Sequence, residues 1–322
     1  MHKLEGPKCT ICHGDPSKFT EPTLKALVGK VPGQMESLRL VSIELEATTE
    51  GINSARHDDA YFDLDRGAKR HAKLPPEVYK VLKAYPGTGI GRDRPGPCGF
   101  EICTMPASGT KAVNQFDDWE TAFESDDVYV TDECGAHVHT DARDFCMEEL
   151  AKLMMSYRAF QPALYRMIPS ERRRDRNEGG PCARIVYEPL LVKKLIEANT
   201  TGKIQTFLRA RHLGEGSIDK VVAPNPFVND RHVGCNVALS FNLHRTVEWR
   251  IPPGVTLASD MIGWARMFAK IMDWVKDLPS DRARTLVRRG WVGRSSTEKL
   301  KEILNSSRCD DFIDEKQEAN RS

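Results

Sequence analysis

The chain has 322 residues, 40% of them apolar and 29% charged, with a formal net charge of +1. That is enough apolar material for one large core or two modest ones. The balanced charge gives no case for a nucleic-acid or anionic-membrane partner. No apolar run approaches the roughly 20 residues needed to cross a bilayer.

The start, Met1-His2-Lys3-Leu4-Glu5-Gly6-Pro7, holds no apolar signal region, so a cytoplasmic protein is expected. Nine cysteines are spread along the chain, and a disulfide framework is not expected in this setting. Cys103, Cys146 and Cys235 sit in apolar contexts, where a free cysteine behaves as a small core residue. Cys9-Thr10-Ile11-Cys12-His13 has the spacing of a zinc half-site or a haem attachment. No second Cys-x-x-Cys follows it, and the other reading is a tail with two free thiols.

Residues 1–36 are rich in Pro, Gly, Lys and Thr and read as an extended arm, with a short helix over 21–28. Residues 38–47 alternate as a strand. Leu40, Ser42, Glu44 and Glu46 take one face, and Arg39, Val41, Ile43 and Leu45 the other. Residues 48–74 are polar and read as a loop or lid. Pro76 opens a short helix within 75–85. The glycines and prolines of 86–99 predict a loop. A second strand over 99–104 puts Phe100 and Ile102 on one face, Glu101 and Cys103 on the other. A helical turn is expected over 119–123.

Thr131-Asp132-Glu133-Cys134-Gly135-Ala136-His137-Val138-His139-Thr140 carries two histidines at i and i+2. In a strand they share a face, about 6.6 Å apart along the chain, with Ala136 and Val138 opposite. The stretch reads as a half-buried strand with a wet imidazole face. Residues 141–167 form the strongest helical pattern, with Leu150, Leu153, Met154, Tyr157, Phe160 and Leu164 at helical steps. Asp144 is the expected N-cap, and Pro162 should kink the helix or end its first part.

Arg172, Arg173, Arg174 and Arg176 follow in a basic run. Helical pattern recurs over 188–198 and 203–210. Residues 237–251 read as two strands around a turn at 242–245. The second strand puts Thr246, Glu248 and Arg250 on one face, Val247, Trp249 and Ile251 on the other. Helices are expected over 259–275, 281–288 and 296–305, with residues 307–322 as a disordered tail. No linker clearly splits 37–306, which reads as a single domain.

Four strands thus share one design, with apolar groups on one face and Glu44/Glu46, Glu101, His137/His139 or Glu248/Arg250 on the other. Carboxylates gathered in a cleft repel one another and take up protons unless a cation compensates them. Carboxylates with one or two imidazoles suit Mg²⁺ or Mn²⁺. Two such ions clamp a polyphosphate, and a guanidinium such as Arg250 meets phosphate bidentately. Each part also has an ordinary structural reading: a solvated strand face for Glu44/Glu46, an ion pair for Glu248/Arg250, a solvated loop for the arginines. The common design carries weight only if the strands are neighbours.

The order Glu-x-Glu, Gly-Phe-Glu, Gly-Ala-His-Val-His and Thr-Val-Glu-Trp-Arg resembles the amidoligase family of the glutamine-synthetase-like (carboxylate-amine ligase) superfamily, over roughly residues 38–275. Cys134–His139 is the nearest match, and Ser240-Phe241-Asn242 precedes the last strand as in the family. The resemblance implies an α+β fold: a curved, mainly antiparallel sheet with helices on its outer face and the active site on its inner polar face. It implies that Glu44, Glu46, Glu101, His137 and Glu248 hold two or three Mg²⁺ or Mn²⁺ ions, that His139 lies near ATP phosphates, and that Arg250 contacts the γ-phosphoryl group. Arg172 and Arg173 are similar to a Ser-Arg-Arg segment that binds acyl phosphate or substrate carboxylate, although Glu171 interrupts it here. The family's Asp-Gly-Ser before the Glu101 strand is missing.

The activity so implied is ATP-dependent joining of a small-molecule or peptide carboxylate to an amine through an acyl phosphate. Two alternatives remain open on the residues alone. One is a metal-dependent hydrolase built on the His-x-His strand; no His-Glu-x-x-His is present to support it. The other is a non-catalytic relative acting as an interaction module.

Overall fold

A computed structural model describes residues 31–49, 75–85, 88–91, 100–132, 134–173, 187, 189–201, 232–233, 239–242, 246–289 and 295–321. The helix expected over 21–28, most of the 48–74 loop, the segment 203–210 and Arg174 and Arg176 lie outside them. The fold is α+β, and the chain divides into two compact units. The first runs to Thr140 and takes back Pro252–Arg266; the second is Asp141–Ile251 with Met267–Ser322. Composition shows no linker at these crossings because each falls within or just past a strand, or inside a helix. No described helix is long and apolar enough to cross a membrane.

In the first unit, β1 (Val41–Ala47), β2 (Gly89–Gly91), β3 (Phe100–Cys103) and β4 (Ala136–Asp141) form an open antiparallel sheet in the order β2–β3–β1–β4. The alternation read from the sequence sets the register. Ile43, Leu45, Ile102 and Val138 are fully or almost fully buried on one face. The opposite face carries the polar groups, with Glu44 across from Cys103 and His137, and Glu46 across from Glu101. The edge strand β2 falls where a loop was expected. Its Gly89 and Gly91 pair with Cys103 and Glu101, and glycine weakens the strand signal that composition can give.

Two helices belong to this unit, α1 (Pro76–Ala84) and α2 (Gly109–Ser125). α1 begins at two prolines with no capping side chain of its own. Asp126, just past α2, supplies the cap from a distance: its carboxylate accepts from the Glu77 and Val78 amides at 2.8 Å each. α2 is 17 residues where a single turn was expected. Its buried Ala112, Phe116, Trp119 and Phe123 follow helical spacing among polar neighbours. Gly109 opens it at φ +53°, and a Cβ there would lie 2.2 Å from the Val31 carbonyl oxygen.

The second unit is built on α3 (Met147–Tyr165), which packs against α4 (Pro189–Thr201), α6 (Ser280–Arg289) and α7 (Ser296–Leu304). Leu150, Leu153, Met154, Tyr157, Phe160 and Leu164 are all fully buried. The N-cap is Cys146, not Asp144. Its thiol and Glu149 form a reciprocal capping box. Cys146 is therefore exposed rather than a core residue. Pro162 lies one turn before the helix ends. The strands β5 (His232–Val233), β6 (Leu239–Asn242) and β7 (Thr246–Trp249) pair antiparallel in sequence order. Trp249 stacks on Phe268 of α5 (Ala258–Asp277), with ring centroids 4.3 Å apart.

The tail expected to be disordered is instead α8 (Ser307–Ala319), capped by Ser306 and packed on α7. Cys309, Phe312 and Ile313 give it a narrow buried stripe at i, i+3 and i+4. Gln317 donates to the Ala163 carbonyl in the last turn of α3, and Asn320 to the Met167 carbonyl just past it. The Ala163 carbonyl also takes the Arg166 amide, so Gln317 adds a second donor at that helix end. A polar composition hides such a role.

Two predictions follow from the second unit. The buried Lys152 ammonium donates to the Lys276 and Leu278 carbonyls at 3.1 and 3.0 Å, at the negative end of α5. Lys152→Met should therefore cost about 1–3 kcal/mol in urea unfolding, and an unchanged midpoint would contradict the assignment. Burial raises the Glu149 carboxyl, but the Cys146 amide and the Lys276 ammonium outweigh it and hold it below its ordinary value. A depressed carboxyl contributes stability above its unfolded value, about 4.3, and loses it as pH falls through the folded value. Glu149→Gln should thus flatten the acid limb of stability against pH while lowering stability at neutral pH.

Candidate functional site

Strand period brings five of the sequence-identified groups onto one face of the first unit. β1 is the middle strand, so each of its polar residues has neighbours on both sides. Glu44 lies across from His137, Ser42 from His139, and Glu46 from Glu101. The expected adjacency therefore holds for β3, β1 and β4.

The imidazole face is not wet. His137 is 6% exposed, His139 1% and Glu44 6%. Two polar layers are buried together, so they must satisfy one another. His137 Nδ1 lies 2.9 Å from Glu44 Oε2, and His139 Nε2 lies 3.1 Å from Glu44 Oε1. Burial alone would raise the Glu44 carboxyl. The charges and hydrogen bonds of His139 and His137 outweigh that and hold it well below the usual carboxylate range. Glu44 is then an acceptor only, so His137 Nδ1 carries the proton of their hydrogen bond. This fixes the ring with Nε2 towards Glu46, in the manner of a carboxylate orienting a metal-ligating histidine.

Local bonds hold the strands to this register. Thr104 extends the β1–β3 ladder, its hydroxyl accepting from Ile43 N at 2.8 Å while Ser42 Oγ donates to its carbonyl at 2.7 Å. Gln115 clamps the next residue from α2, giving and taking a 2.8 Å hydrogen bond with the Met105 backbone. The Glu46 carboxylate accepts from the Gly135 amide at the start of β4. Gly254 packs against that entry, where a Cβ would lie 2.8 Å from Cys134 Cβ.

The donor set fits a divalent cation. His137 Nε2 and Glu46 Oε1 are 4.0 Å apart, too far for a hydrogen bond. Neighbouring donors of one ion stand about 3–3.5 Å apart, so the pair would have to close by roughly half an ångström or more to share one. A second grouping joins Glu44, Glu101 and Cys103, whose ligand atoms all lie within 4.8 Å of one another. Cys103 was placed on this face by alternation but given no role.

The remaining site residues belong to the second unit. Glu248, 1% exposed, lies on β7 across from Ser240. The Arg250 guanidinium donates to the Glu248 carboxylate. This is an ion pair, as the ordinary reading had it, though along the strand rather than across strands. Arg172 is 6% exposed in a short 3-10 helix, Ser170–Arg173, which also contains Arg173.

Among known proteins, no curated protein matches the chain. A family model described as "Putative amidoligase enzyme" matches residues 49–272. That span takes in Glu101, the His-x-His strand, Arg172 and Arg173, and the Glu248-Trp249-Arg250 segment, while Glu44 and Glu46 lie just ahead of it. Because the match covers more than half of the sequence, the chain belongs to the amidoligase family.

Proposed function

We propose that the protein is an ATP-dependent carboxylate–amine ligase of glutamine-synthetase-like fold, acting through an acyl phosphate with Mg²⁺ or Mn²⁺. The observation that carries this reading is the buried polar face of β3, β1 and β4, in a chain of the amidoligase family. Three carboxylates and two imidazoles on one strand face make a costly core. They make a useful one if divalent cations bind there.

Glu44, Glu46, Glu101 and His137 would hold the ions, and the resemblance adds Glu248. When bound, such ions neutralise polyphosphate charge and so favour attack on the γ-phosphoryl group. The chain's own groups prepare that chemistry. Glu44 stays ionised at neutral pH. It also fixes the His137 ring and lies against His139 Nε2. Arg250 supplies a planar fork for γ-phosphoryl oxygens, and Glu248 holds that fork in one orientation before substrate arrives. Arg172 and Arg173 are assigned to the substrate carboxylate or acyl phosphate. The carboxylate attacks the γ-phosphorus and releases ADP. The amine then attacks the acyl carbon and expels phosphate, while a base takes its proton.

ATP should raise the melting temperature only when Mg²⁺ or Mn²⁺ is present, and Glu44→Ala or Glu248→Ala should abolish that shift. No shift and no ADP release across a panel of acids and amines would sink the ligase reading. Arg250→Lys keeps the charge but not the fork. It should lower ADP release by roughly 100-fold or more and change stability by only about 1 kcal/mol. Equal loss of fold and activity would instead mark Arg250 as a structural partner of Glu248.

A further inference from the structure

Cys103 stands in the polar face beside two carboxylates of the ligase reading, which gives the thiol itself no part. It is the Cα partner of Glu44 across the β1–β3 ladder and lies two residues from Glu101. All three side chains therefore project from one face. The thiol is 4% exposed, and its sulfur meets Glu101 Oε1 at 3.7 Å. One atom each from Glu44, Glu101 and Cys103 falls within a 4.8 Å circle. A single ion bound at about 2.0–2.3 Å would require these atoms to close in by only roughly an ångström.

A separate observation concerns the next strand. The β2 partners of Cys103 and Glu101 on this face are Gly89 and Gly91. Both positions lack a side chain. Glycine inside a strand is found at bulges, at tight bends and where a ligand or another backbone approaches closely. On β2 itself, therefore, no side chain competes for the further ligands that an ion with three protein donors needs, water or a phosphate oxygen.

We infer that Cys103 is a metal ligand, and that the position shared by Glu44 and Glu101 is a mixed carboxylate–thiolate one, which takes Mn²⁺ or a more thiophilic cation such as Zn²⁺ in preference to Mg²⁺ and leaves Mg²⁺ to the Glu46–His137 side. The inference rests on the metal-binding half of the proposed function and not on the ligation reaction. Carboxylates alone suit hard ions, whereas a thiolate shifts preference towards zinc and its congeners. Binding releases the thiol proton to solvent as the sulfur–metal bond forms. Glu44 is common to this position and to the His137 side of the face, so occupancy of one affects the other.

Cobalt(II) is the probe, because thiolate ligation gives it a near-ultraviolet sulfur-to-metal charge-transfer band that oxygen and nitrogen donors do not. The full-length protein titrated with Co²⁺ should show the band. Cys103→Ser and Cys103→Ala should each remove it, and Co²⁺ affinity should fall by more than about tenfold. Zn²⁺ should displace the cobalt, and a large excess of Mg²⁺ should not. The double variant Cys9→Ser/Cys12→Ser should keep the band. If the band instead survives both Cys103 variants, the inference is overturned, and its loss in the double variant would place it at Cys9 and Cys12. If Co²⁺ binds without any such band, the thiol assignment fails while the metal site stands. If Co²⁺ does not bind at all, both fail together.

Discussion

The Glu44 carboxylate, buried between two imidazoles, is the constraint around which the first unit is arranged. An ionised carboxylate with 6% exposure is tolerable only if its oxygens are met, and here His137 and His139 meet one oxygen each. Those contacts exist because β1 pairs with β4 in one register. A slip by one residue would send Glu44 into the apolar layer and bring Ile43 or Leu45 to the histidines. The apolar face therefore does more than stabilise the sheet. Ile43, Leu45, Val138 and Ile102 hold the register that makes the polar face chemically coherent.

The same constraint separates roles that look alike in the sequence. His137 and His139 both contact Glu44, but through different ring nitrogens. His137 uses Nδ1 and so turns Nε2 towards Glu46. His139 uses Nε2 itself and is the more deeply buried of the two. One imidazole thus keeps a ring nitrogen turned away from Glu44, while the other spends its Nε2 on the carboxylate. Glu46 divides its labour in a similar way. One oxygen secures the entry to β4 at Gly135 and the other faces His137.

What could be read from the residues follows from period. Strict alternation over 38–47 and at His137/His139 gave the strands and their faces, and helical spacing located α3. Features that depend on a distant partner were not legible. Asp126 caps α1 from the end of α2, so the start of α1 carries no local capping signal. Gln317 and Asn320 look like tail residues until the end of α3 is beside them. Gly89 and Gly91 read as a loop because a glycine-rich edge strand takes its order from β3. The burial of the histidine face was also hidden, since alternation tells which residues share a face and not whether water reaches it. The two-unit division was hidden for a related reason: its crossings fall within or just past a strand, or inside a helix, where composition does not change.

Cys103 shows how far an alternating pattern can be taken once register is known. Read singly, a cysteine in such a stretch is a small core residue. Read in the ladder, it is the direct neighbour of Glu44 and shares a face with Glu101. A thiol there is a poor choice if filling space is the only need, because valine or alanine would pack without a polar atom beside two carboxylates. A protonated thiol beside Glu101 gains only a weak hydrogen bond, whereas a thiolate sharing a cation with both carboxylates turns their mutual repulsion into coordination. β1 and β3 both place carboxylates on the face, and β3 adds its one soft donor. Which cation the face would prefer therefore turns on Cys103 and not on the carboxylates, since hard donors come from both strands.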